Sequence, residues 1–464
     1  MAGRLCDRGE GDQMNERLSI PTRLIGCVLA CALARLFTPV ALAQTNWQSY
    51  EITLPVLNPN YSPLAVENRP LLYNRLIMAF ARDHIAHELR SQGRTLNDGM
   101  AVYYLQRELQ ALIDMWQATG YSSYLDQASG LAQQAIKEAG ASPRMLIWHD
   151  EPRGEWPCFY LESVLAKTGG HNQLCDFQGS AGFLMVARAL QQVNRPEWQP
   201  IADFVEHDVV EKWLYYKPSI TEEQIKGPES DKYLLVILNS GRDVREHFAC
   251  ICLDLYTLGY RSYPYRDWAG LLIDLYLTPR YEPNQPAPYQ DKMPDRIPSD
   301  WGLFANTDEQ GYVWMSIPSY DPNSSTDALD TSHANRTAWL AAKACTEGLV
   351  SKSVVLGLAN TFRFRIWAPE KGPFYFNNYV DGTDADLGGL TGGRGGNIWF
   401  GWHRLAVFDP ELQDLFLSIA YDLSNGGPNL PDGAQNKTMQ DAPLCLEAWG
   451  VRLLSTKSQP FRFP

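Results

Sequence analysis

A long succession of helical patterns constrains the fold of this chain more than any other feature. From residue 99 onward, apolar residues recur at helical spacing in segments joined by short connections, whereas alternating strand patterns are scarce. The segments are 99–116, 122–139, 179–192, 197–216, 240–260, 265–278, 332–350, 351–367, 397–408 and 410–423. This pattern predicts an all-α protein.

The helical segments also alternate in character, because strongly apolar helices are followed by more polar ones. Helices covered on both sides need apolar residues all round, whereas outer helices need only one apolar face. We therefore expect an (α/α) toroid, an incomplete barrel of about six or seven antiparallel helix pairs with long aromatic loops. Residues 44–464 are predicted to form this single domain, with an extended N-terminal arm up to about residue 70.

The first 43 residues have the features of a secretory signal peptide. Basic residues precede an apolar stretch, and a small-residue "ALA" site ends at Ala43. Met14 is an alternative start, because an acidic preamble before it is unusual for a signal. The mature protein is expected to be exported, with no membrane-spanning segment. The "NRT" at Asn335 would be glycosylated in a eukaryotic secretory pathway, so a buried role for Asn335 favours a bacterial periplasmic or secreted protein.

The chain is acidic. Its net charge is −13, and the leader carries five arginines against four acids, so removal of the leader leaves about −14. This charge argues against general nucleic-acid binding. A polyanionic substrate would need arginines and histidines gathered locally in the cleft, because the overall field would repel it.

The cysteines do not have the spacing of a zinc site, and no metal or other cofactor is expected. In an exported protein, we expect Cys158 and Cys175 to form a disulfide. Cys250 and Cys252 lie two residues apart in a predicted helix and point in different directions, so they are not expected to bond to each other.

The stretch "DTSHANRTAWLAAKAC", residues 330–345, combines polar and apolar residues unusually. Asp330 or Ser332 can cap the helix, which places His333, Asn335 and Arg336 near its start, where the helix dipole favours an anion. The apolar remainder is built for burial. The alternative interpretation is a capped helix whose His and Arg side chains bond to neighbouring backbone.

The stretch "SGRDVREHFACICLDLY", from residue 240, repeats this arrangement. Ser240 and Asp243 are predicted to form a capping box, and an apolar helix follows. The polar residues near its start are Arg242, Arg245, Glu246 and His247. If both helices line one toroid, their polar starts can converge. The alternative is that Arg245 and Glu246 simply pair with neighbours.

Two long segments, 278–327 and 368–396, are irregular and rich in aromatic residues, and long loops in a compact domain usually carry function. Aromatic faces stack on sugar rings, and tyrosine hydroxyls can transfer protons. The loop residues of interest are Tyr312, Trp314, Tyr320 and Tyr379, with Arg394, Trp399 and His403 in and after a glycine-rich stretch. The alternative for His403 is a core histidine. Asp381, Asp384 and Asp386 are interpreted as a solvated turn.

The motifs "SHANR", "REHF" and "GGRGGN", together with the helix layout of most of the mature chain, resemble the helical-toroid polysaccharide lyases. These enzymes act on uronic-acid polymers, as alginate and glucuronan lyases do, and polysaccharide lyase family 38 is the suspected relative. In alginate lyases of this architecture an Asn and a His are adjacent, whereas here His333 precedes Asn335 by two positions.

The resemblance implies β-elimination in a 1,4-linked polyuronate such as glucuronan or alginate. The enzyme must neutralise the uronate carboxylate, supply a base and protonate the leaving oxygen. We assign Asn335 and Arg336 to the carboxylate. The candidate bases are His333 and His247, and the candidate acids are Tyr312 and Tyr320. The candidate substrate-binding residues are Arg242, Arg245, Arg394, Trp314, Tyr379, Trp399 and His403.

Two other classes of function remain open. An inverting glycoside hydrolase on a similar toroid would need two carboxylic acids, for which Glu246, Asp330, Asp384 and Asp386 are the candidates. A non-catalytic glycan-binding protein would need only the aromatic loops.

Overall fold

The protein is mostly helical, which confirms the predicted all-α class. The computed structural model describes residues 69–96, 99–145, 152–155, 173–214, 221–228, 230, 233–234, 238, 242–280, 303–306, 311–313, 328–371, 375–383, 398, 400–424 and 442–455. All of them belong to one compact unit of the chain. The predicted signal peptide and N-terminal arm lie outside these residues, apart from the arm's last two.

Helices form in every segment where the sequence predicts one. The α-helices are α1 (Arg69–Ser91), α2 (Gly99–Thr119), α3 (Ser122–Glu138), α4 (Gln173–Gln192), α5 (Trp198–Phe204), α6 (Glu222–Lys226), α7 (Arg242–Leu258), α8 (Tyr265–Leu277), α9 (Thr331–Thr346), α10 (Lys352–Thr361), α11 (Pro410–Ser424) and α12 (Ala442–Ser455). The helix α5 continues as a π-helix, Val205–Glu211, and a last turn, Lys212–Leu214, and α10 continues as a π-helix, Phe362–Ile366. The segment 397–408 forms only a short 3₁₀ helix, Trp402–Val407.

Three helices, α1, α6 and α12, were not predicted. In α1 the buried residues Leu72, Leu76, Ala79 and Phe80 follow helical spacing, so the signal was present in the sequence. The N-terminal arm was predicted to end at about residue 70, and α1 begins at that point, at Arg69. Among the described residues, no helix has the length and apolarity needed to cross a membrane.

Among the described residues, the strands form two small sheets. The strands β1 (Gly140–Met145) and β2 (Pro152–Glu155) are antiparallel. The second sheet has the order β3-β4-β5, with β3 (Pro279–Arg280) parallel to β4 (Leu303–Asn306) and β4 antiparallel to β5 (Gly311–Val313). The second sheet lies within the first long irregular segment of the sequence, and β5 packs against α10.

Twelve of the described helices, all except α6, pack as six pairs. Five pairs join neighbours in the sequence, and the sixth joins the first described helix to the last. The pairs are α2 with α3, α4 with α5, α7 with α8, α9 with α10, the 3₁₀ helix with α11, and α12 with α1. The first member of each pair also packs against the first member of the next pair, and α12 packs against α2. The order of packing among these six first members is therefore a closed circuit.

Contacts between side chains show that three neighbouring helices of this circuit, α4, α7 and α9, run parallel to one another. His247, near the start of α7, contacts Gln178, near the start of α4, while Arg188 Nη1 donates to Asp254 Oδ1 at 2.9 Å near their ends. Lys343, near the end of α9, also binds Asp254. The starts of these helices therefore lie at the same end of the molecule.

Buried charges tie the helices together away from those starts. Arg404 makes two hydrogen bonds to Asp114, of 3.0 and 2.8 Å, and Arg452 binds the same carboxylate. His403 lies in this region against Trp449, with ring centroids 5.0 Å apart. Burial holds the pKa of His403 well below its ordinary value, and the charges of Arg404 and Arg452 add to the effect. The geometry is that of a neutral core histidine.

Three of the cysteines, Cys250, Cys252 and Cys345, are free thiols. The expectation that Cys250 and Cys252 do not bond to each other is therefore confirmed. Cys158 lies outside the described residues, so its predicted bond to Cys175 stays a prediction.

A buried carboxyl group, Glu447, predicts that stability depends on pH. Its side chain is fully buried between α12 and α1, and neither of its oxygens has a hydrogen-bond partner within the described ranges. Burial raises the pKa of Glu447 to about 9; nearby Asp83 adds to this rise and Arg82 opposes it. Because the folded state holds this proton more tightly than the unfolded state, stability falls as pH rises from the unfolded pKa toward the folded one.

We therefore expect Glu447→Gln to remove much of the loss of unfolding free energy between pH 4.5 and about 9. The difference from the wild type at the alkaline end should be on the order of several kcal/mol. Denaturant unfolding at a series of pH values measures it, with the exposed Glu223→Gln as control. Parallel pH profiles for Glu447→Gln and the wild type would contradict a protonated Glu447.

Candidate functional site

Four polar side chains from four helices meet near the helix starts. Gln178, His247 and Arg336 are the sixth residues of α4, α7 and α9, and Tyr103 is the fifth residue of α2. Gln178 Nε2 donates to the backbone oxygen of Tyr103 at 3.0 Å, and Arg336 contacts all three of the other residues. We call these four residues the Arg336 cluster. The polar starts of α7 and α9 thus meet, as the sequence suggested.

Arg336 is the centre of the cluster, and its side chain is only 1% exposed. Its Nε donates to His247 Nε2 at 3.0 Å, and its Nη2 donates to Gln178 Oε1 at 2.8 Å and to the Tyr103 hydroxyl. The rings of Tyr103 and Phe400 lie 5.7 and 5.6 Å from the guanidinium carbon. Every one of these partners is a neutral group.

Among the described residues, the positive charge of Arg336 has no anionic partner in direct contact. Its Nη1 meets no hydrogen-bond partner within the described part of the chain, and no carboxylate there forms an ion pair with it. Asp243 and Asp330 act on it only through space. A buried charge without a counter-ion is costly, so an anion bound at Nη1 would offset that cost.

His247 is held in its neutral form. A guanidinium Nε–H can only donate, so His247 Nε2 carries the lone pair and the ring proton resides on Nδ1. Burial lowers the pKa of His247 well below its ordinary value, and the charge of Arg336 lowers it further. The lone pair that a base would use is therefore already bound to Arg336. The role of His247 as the base stays a prediction, and this hydrogen bond does not favour it.

His333 is placed differently, because its side chain is 40% exposed at the start of α9. Asp330 caps the helix, since its Oδ1 accepts from the backbone N–H of His333 at 3.0 Å, and its Oδ2 lies 2.5 Å from His333 Nδ1. Asp243 Oδ2 lies 3.9 Å from the other ring nitrogen, Nε2. Burial opposes protonation, but the Asp330 carboxylate outweighs it and raises the pKa of His333. A partly exposed imidazole supported by an aspartate can transfer a proton.

Asn335 holds backbone together. Its Nδ2 donates to the carbonyl oxygens of Thr331 and Ser332, both at 3.2 Å. Its Oδ1 accepts from three successive N–H groups, those of residues 400–402, at 3.3, 2.9 and 3.3 Å. These bonds fix Phe400 beside Arg336. Carboxylate binding by Asn335 stays a prediction, but it would require these bonds to open.

The arginines of α7 are bound within the protein. Arg242 Nε donates to Glu246 Oε1 at 2.8 Å, and its Nη2 donates to the carbonyl oxygen of Tyr276 at 2.8 Å. Arg245 Nη1 donates to the Tyr276 hydroxyl at 2.9 Å. Glu246 is fully buried and also accepts from Thr337. The alternative in which Glu246 pairs with a neighbour therefore describes the structure, and both arginines are distant from solvent.

The other candidates are dispersed. Tyr312 is buried on β5, and its ring lies against Gly357 of α10. Tyr379 forms a backbone bridge with Asp330, so it lies beside the start of α9. His403 is the core histidine described above. Trp314, Tyr320, Arg394 and Trp399 lie outside the described residues, as do Asp384 and Asp386.

Asp381 accepts from the N–H and the hydroxyl of Thr383, at 2.9 and 2.7 Å, within a local turn. In the part of the chain that the structure describes, no group of three or more His, Cys, Asp or Glu residues could hold a metal ion.

Sequence reasoning missed two members of the cluster, Tyr103 and Gln178. Each is a polar side chain near the start of an apolar helix, as His247 and Arg336 are. A comparison of equivalent positions in successive helices would have found them, because the four residues are the fifth or sixth of their helices.

Comparisons with known proteins give no further guide to this site. The chain matches no family model, no curated protein and no solved structure.

Proposed function

We propose that the protein is a polysaccharide lyase that cleaves a 1,4-linked polyuronate, such as glucuronan or alginate, by β-elimination. The observation that carries this proposal is the buried Arg336, which has no anionic partner among the residues that the structure describes and lies beside an aspartate-supported histidine. Removal of a proton alpha to a carboxylate requires that carboxylate to be neutralised, and a guanidinium can do this.

The proposed roles follow from the contacts. Arg336 binds the uronate carboxylate through Nη1. His333, oriented by Asp330, is the base and uses Nε2. Tyr103, whose hydroxyl binds Arg336 and whose side chain is partly exposed, is the candidate acid that protonates the leaving oxygen, alongside the earlier candidates Tyr312 and Tyr320. No metal or cofactor enters this scheme.

The closed circuit of helix packing supports the finer architecture, an (α/α) toroid of six helix pairs. We propose that the parallel helices of the circuit form its inner wall, with the Arg336 cluster at the end where they start. A toroid mouth of this kind suits a polymer that must be held across several sugar units. We further propose that the protein is exported to the periplasm or secreted by a bacterium.

Incubation with a panel of polyuronates, followed by ultraviolet absorbance, tests the proposal. A lyase leaves a conjugated double bond at each cleavage, so absorbance should rise together with new reducing ends. New reducing ends without absorbance would establish a glycoside hydrolase instead. Binding of the polymer without either signal would establish a glycan-binding protein.

A substitution at Asp330 predicts a change in the pH dependence of this activity. A base must be unprotonated, so kcat/KM should rise with pH through the pKa of His333, which Asp330 raises. In Asp330→Asn the negative charge is lost, the pKa of His333 falls, and the acid limb should move to lower pH. Asparagine is also a good N-cap, so stability should change little. An acid limb that stays in place would exclude His333 as the titrating base.

A further inference from the structure

The buried arginines of this protein differ in what holds them. Arg188, Arg242, Arg363 and Arg404 each form an ion pair with a carboxylate, at 2.9, 2.8, 3.1 and 2.8 Å. Arg336 is as deeply buried, but its direct partners within the described residues are an imidazole, an amide and a phenol. A neutral setting leaves the full charge of a guanidinium available to another group.

Gln178 is the clearest of these neutral partners. Its side chain is fully buried, its Oε1 accepts from Arg336 Nη2 at 2.8 Å, and its Nε2 donates to the backbone oxygen of Tyr103. A glutamate has nearly the same shape and would place a carboxylate at the same distance from Arg336. Such a pair would give the buried cation a counter-ion, and we expect this gain to outweigh the loss of the hydrogen bond that Nε2 donates to Tyr103.

His247 is the second neutral partner, and its contact with Arg336 fixes its ring. Because Arg336 Nε donates to His247 Nε2, the ring accepts a hydrogen bond without adding a charge. His247 Nε2 and Gln178 Oε1 lie 3.1 Å apart, and both accept a hydrogen bond from the guanidinium of Arg336.

We propose that Gln178 and His247 are positioning residues whose neutrality keeps the charge of Arg336 available to a carboxylate-bearing ligand, which binds at Nη1. This inference rests on the proposed function for the identity of the ligand, a uronate. The neutral cluster lowers the stability of the fold but permits binding. A carboxylate at position 178 or 247 would stabilise the fold and abolish the ligand site.

The test is thermal unfolding of the full chain with and without sodium glucuronate, with glucose at the same concentration and matched ionic strength as control. Glucuronate should raise the Tm of the wild type, and glucose should not. In Gln178→Glu, the Tm without ligand should equal or exceed that of the wild type, and the glucuronate-dependent shift should be lost. Gln178→Met loses both hydrogen bonds of the side-chain amide but stays neutral. It should have a lower Tm and keep the glucuronate-dependent shift.

A second pair of variants examines the other partner. His247→Glu should abolish the glucuronate-dependent shift, whereas His247→Gln, which keeps a neutral acceptor, should retain it. On a cleavable polyuronate, Gln178→Glu should raise KM by about tenfold or more, with a smaller change in kcat.

Any of these binding results would overturn the proposal: no glucuronate-dependent shift in the wild type, a shift that survives in Gln178→Glu, or a shift lost equally in Gln178→Met. Failure of both glutamate variants to fold would also contradict it, because the added carboxylate is expected to stabilise Arg336. The thermal measurement needs no turnover. A wild type that binds glucuronate through Arg336 but cleaves no polyuronate would therefore refute the lyase proposal and leave this inference standing.

Discussion

Arg336→Lys is expected to lower kcat/KM on a polyuronate by a factor on the order of a hundred or more per folded molecule. Lysine keeps the positive charge but loses the planar fork, so it cannot hold His247 and Gln178 and also present a donor to a carboxylate. His247 Nε2 would lose its donor, and the free energy of unfolding should fall by about 1–3 kcal/mol. Steady-state kinetics and denaturant unfolding together separate the two effects.

Arg261→Lys is the matched control. Arg261 is exposed and lies over the ring of Tyr256, 3.8 Å from its centroid, on a different part of the molecule. Its substitution should leave kcat/KM unchanged. If Arg336→Lys lost stability but kept normal turnover per folded molecule, Arg336 would be a structural residue and the "SHANR" segment would leave the mechanism.

Gly401→Ala is expected to disrupt the site through the backbone. A Cβ at residue 401 would lie 1.8 Å from the carbonyl oxygen of Asn335 and 2.5 Å from its carbonyl carbon, so the two segments must separate. The hydrogen bonds that the N–H groups of residues 400–402 donate to Asn335 would then weaken, and Phe400 would move away from Arg336. We expect a loss of unfolding free energy on the order of 3 kcal/mol and a large loss of activity.

Gly130→Ala gives the comparison for this substitution. Gly130 lies within α3, and a Cβ there would meet nothing within 4 Å. Alanine should be neutral or stabilising by roughly 1 kcal/mol, because it favours a helix more than glycine does. If Gly401→Ala had the same free energy of unfolding as Gly130→Ala, the close approach of Asn335 to residue 401 would be excluded.

The fold was largely predictable because long apolar helices carry their own periodicity. The segments that became α2, α7 and α9 have apolar residues all along their length, and burial on most sides requires this. The helix predicted at 397–408 was too long. The observed helix begins only at Trp402, because Asn335, which is distant in the sequence, lies against residue 401. Local sequence does not record such a contact.

The site was predictable only in part, and the reason is similar. Arg336, His333 and Asp330 lie together near one helix start, so capping chemistry identified them. Tyr103 and Gln178 lie 233 and 158 positions from Arg336 and become its partners only when the helices pack. When a single polar residue lies in an apolar helix, the neighbouring sequence does not show whether the residue is functional or a buried structural residue.

The most direct test of the central claim is cleavage of a polyuronate in water enriched in oxygen-18, with mass spectrometry of the products. Elimination breaks the bond to the leaving oxygen without adding water, so the account predicts unsaturated products with no heavy oxygen introduced by the cleavage. Hydrolysis adds one water at each cleavage. Saturated products that carry one heavy oxygen per cut would contradict the account.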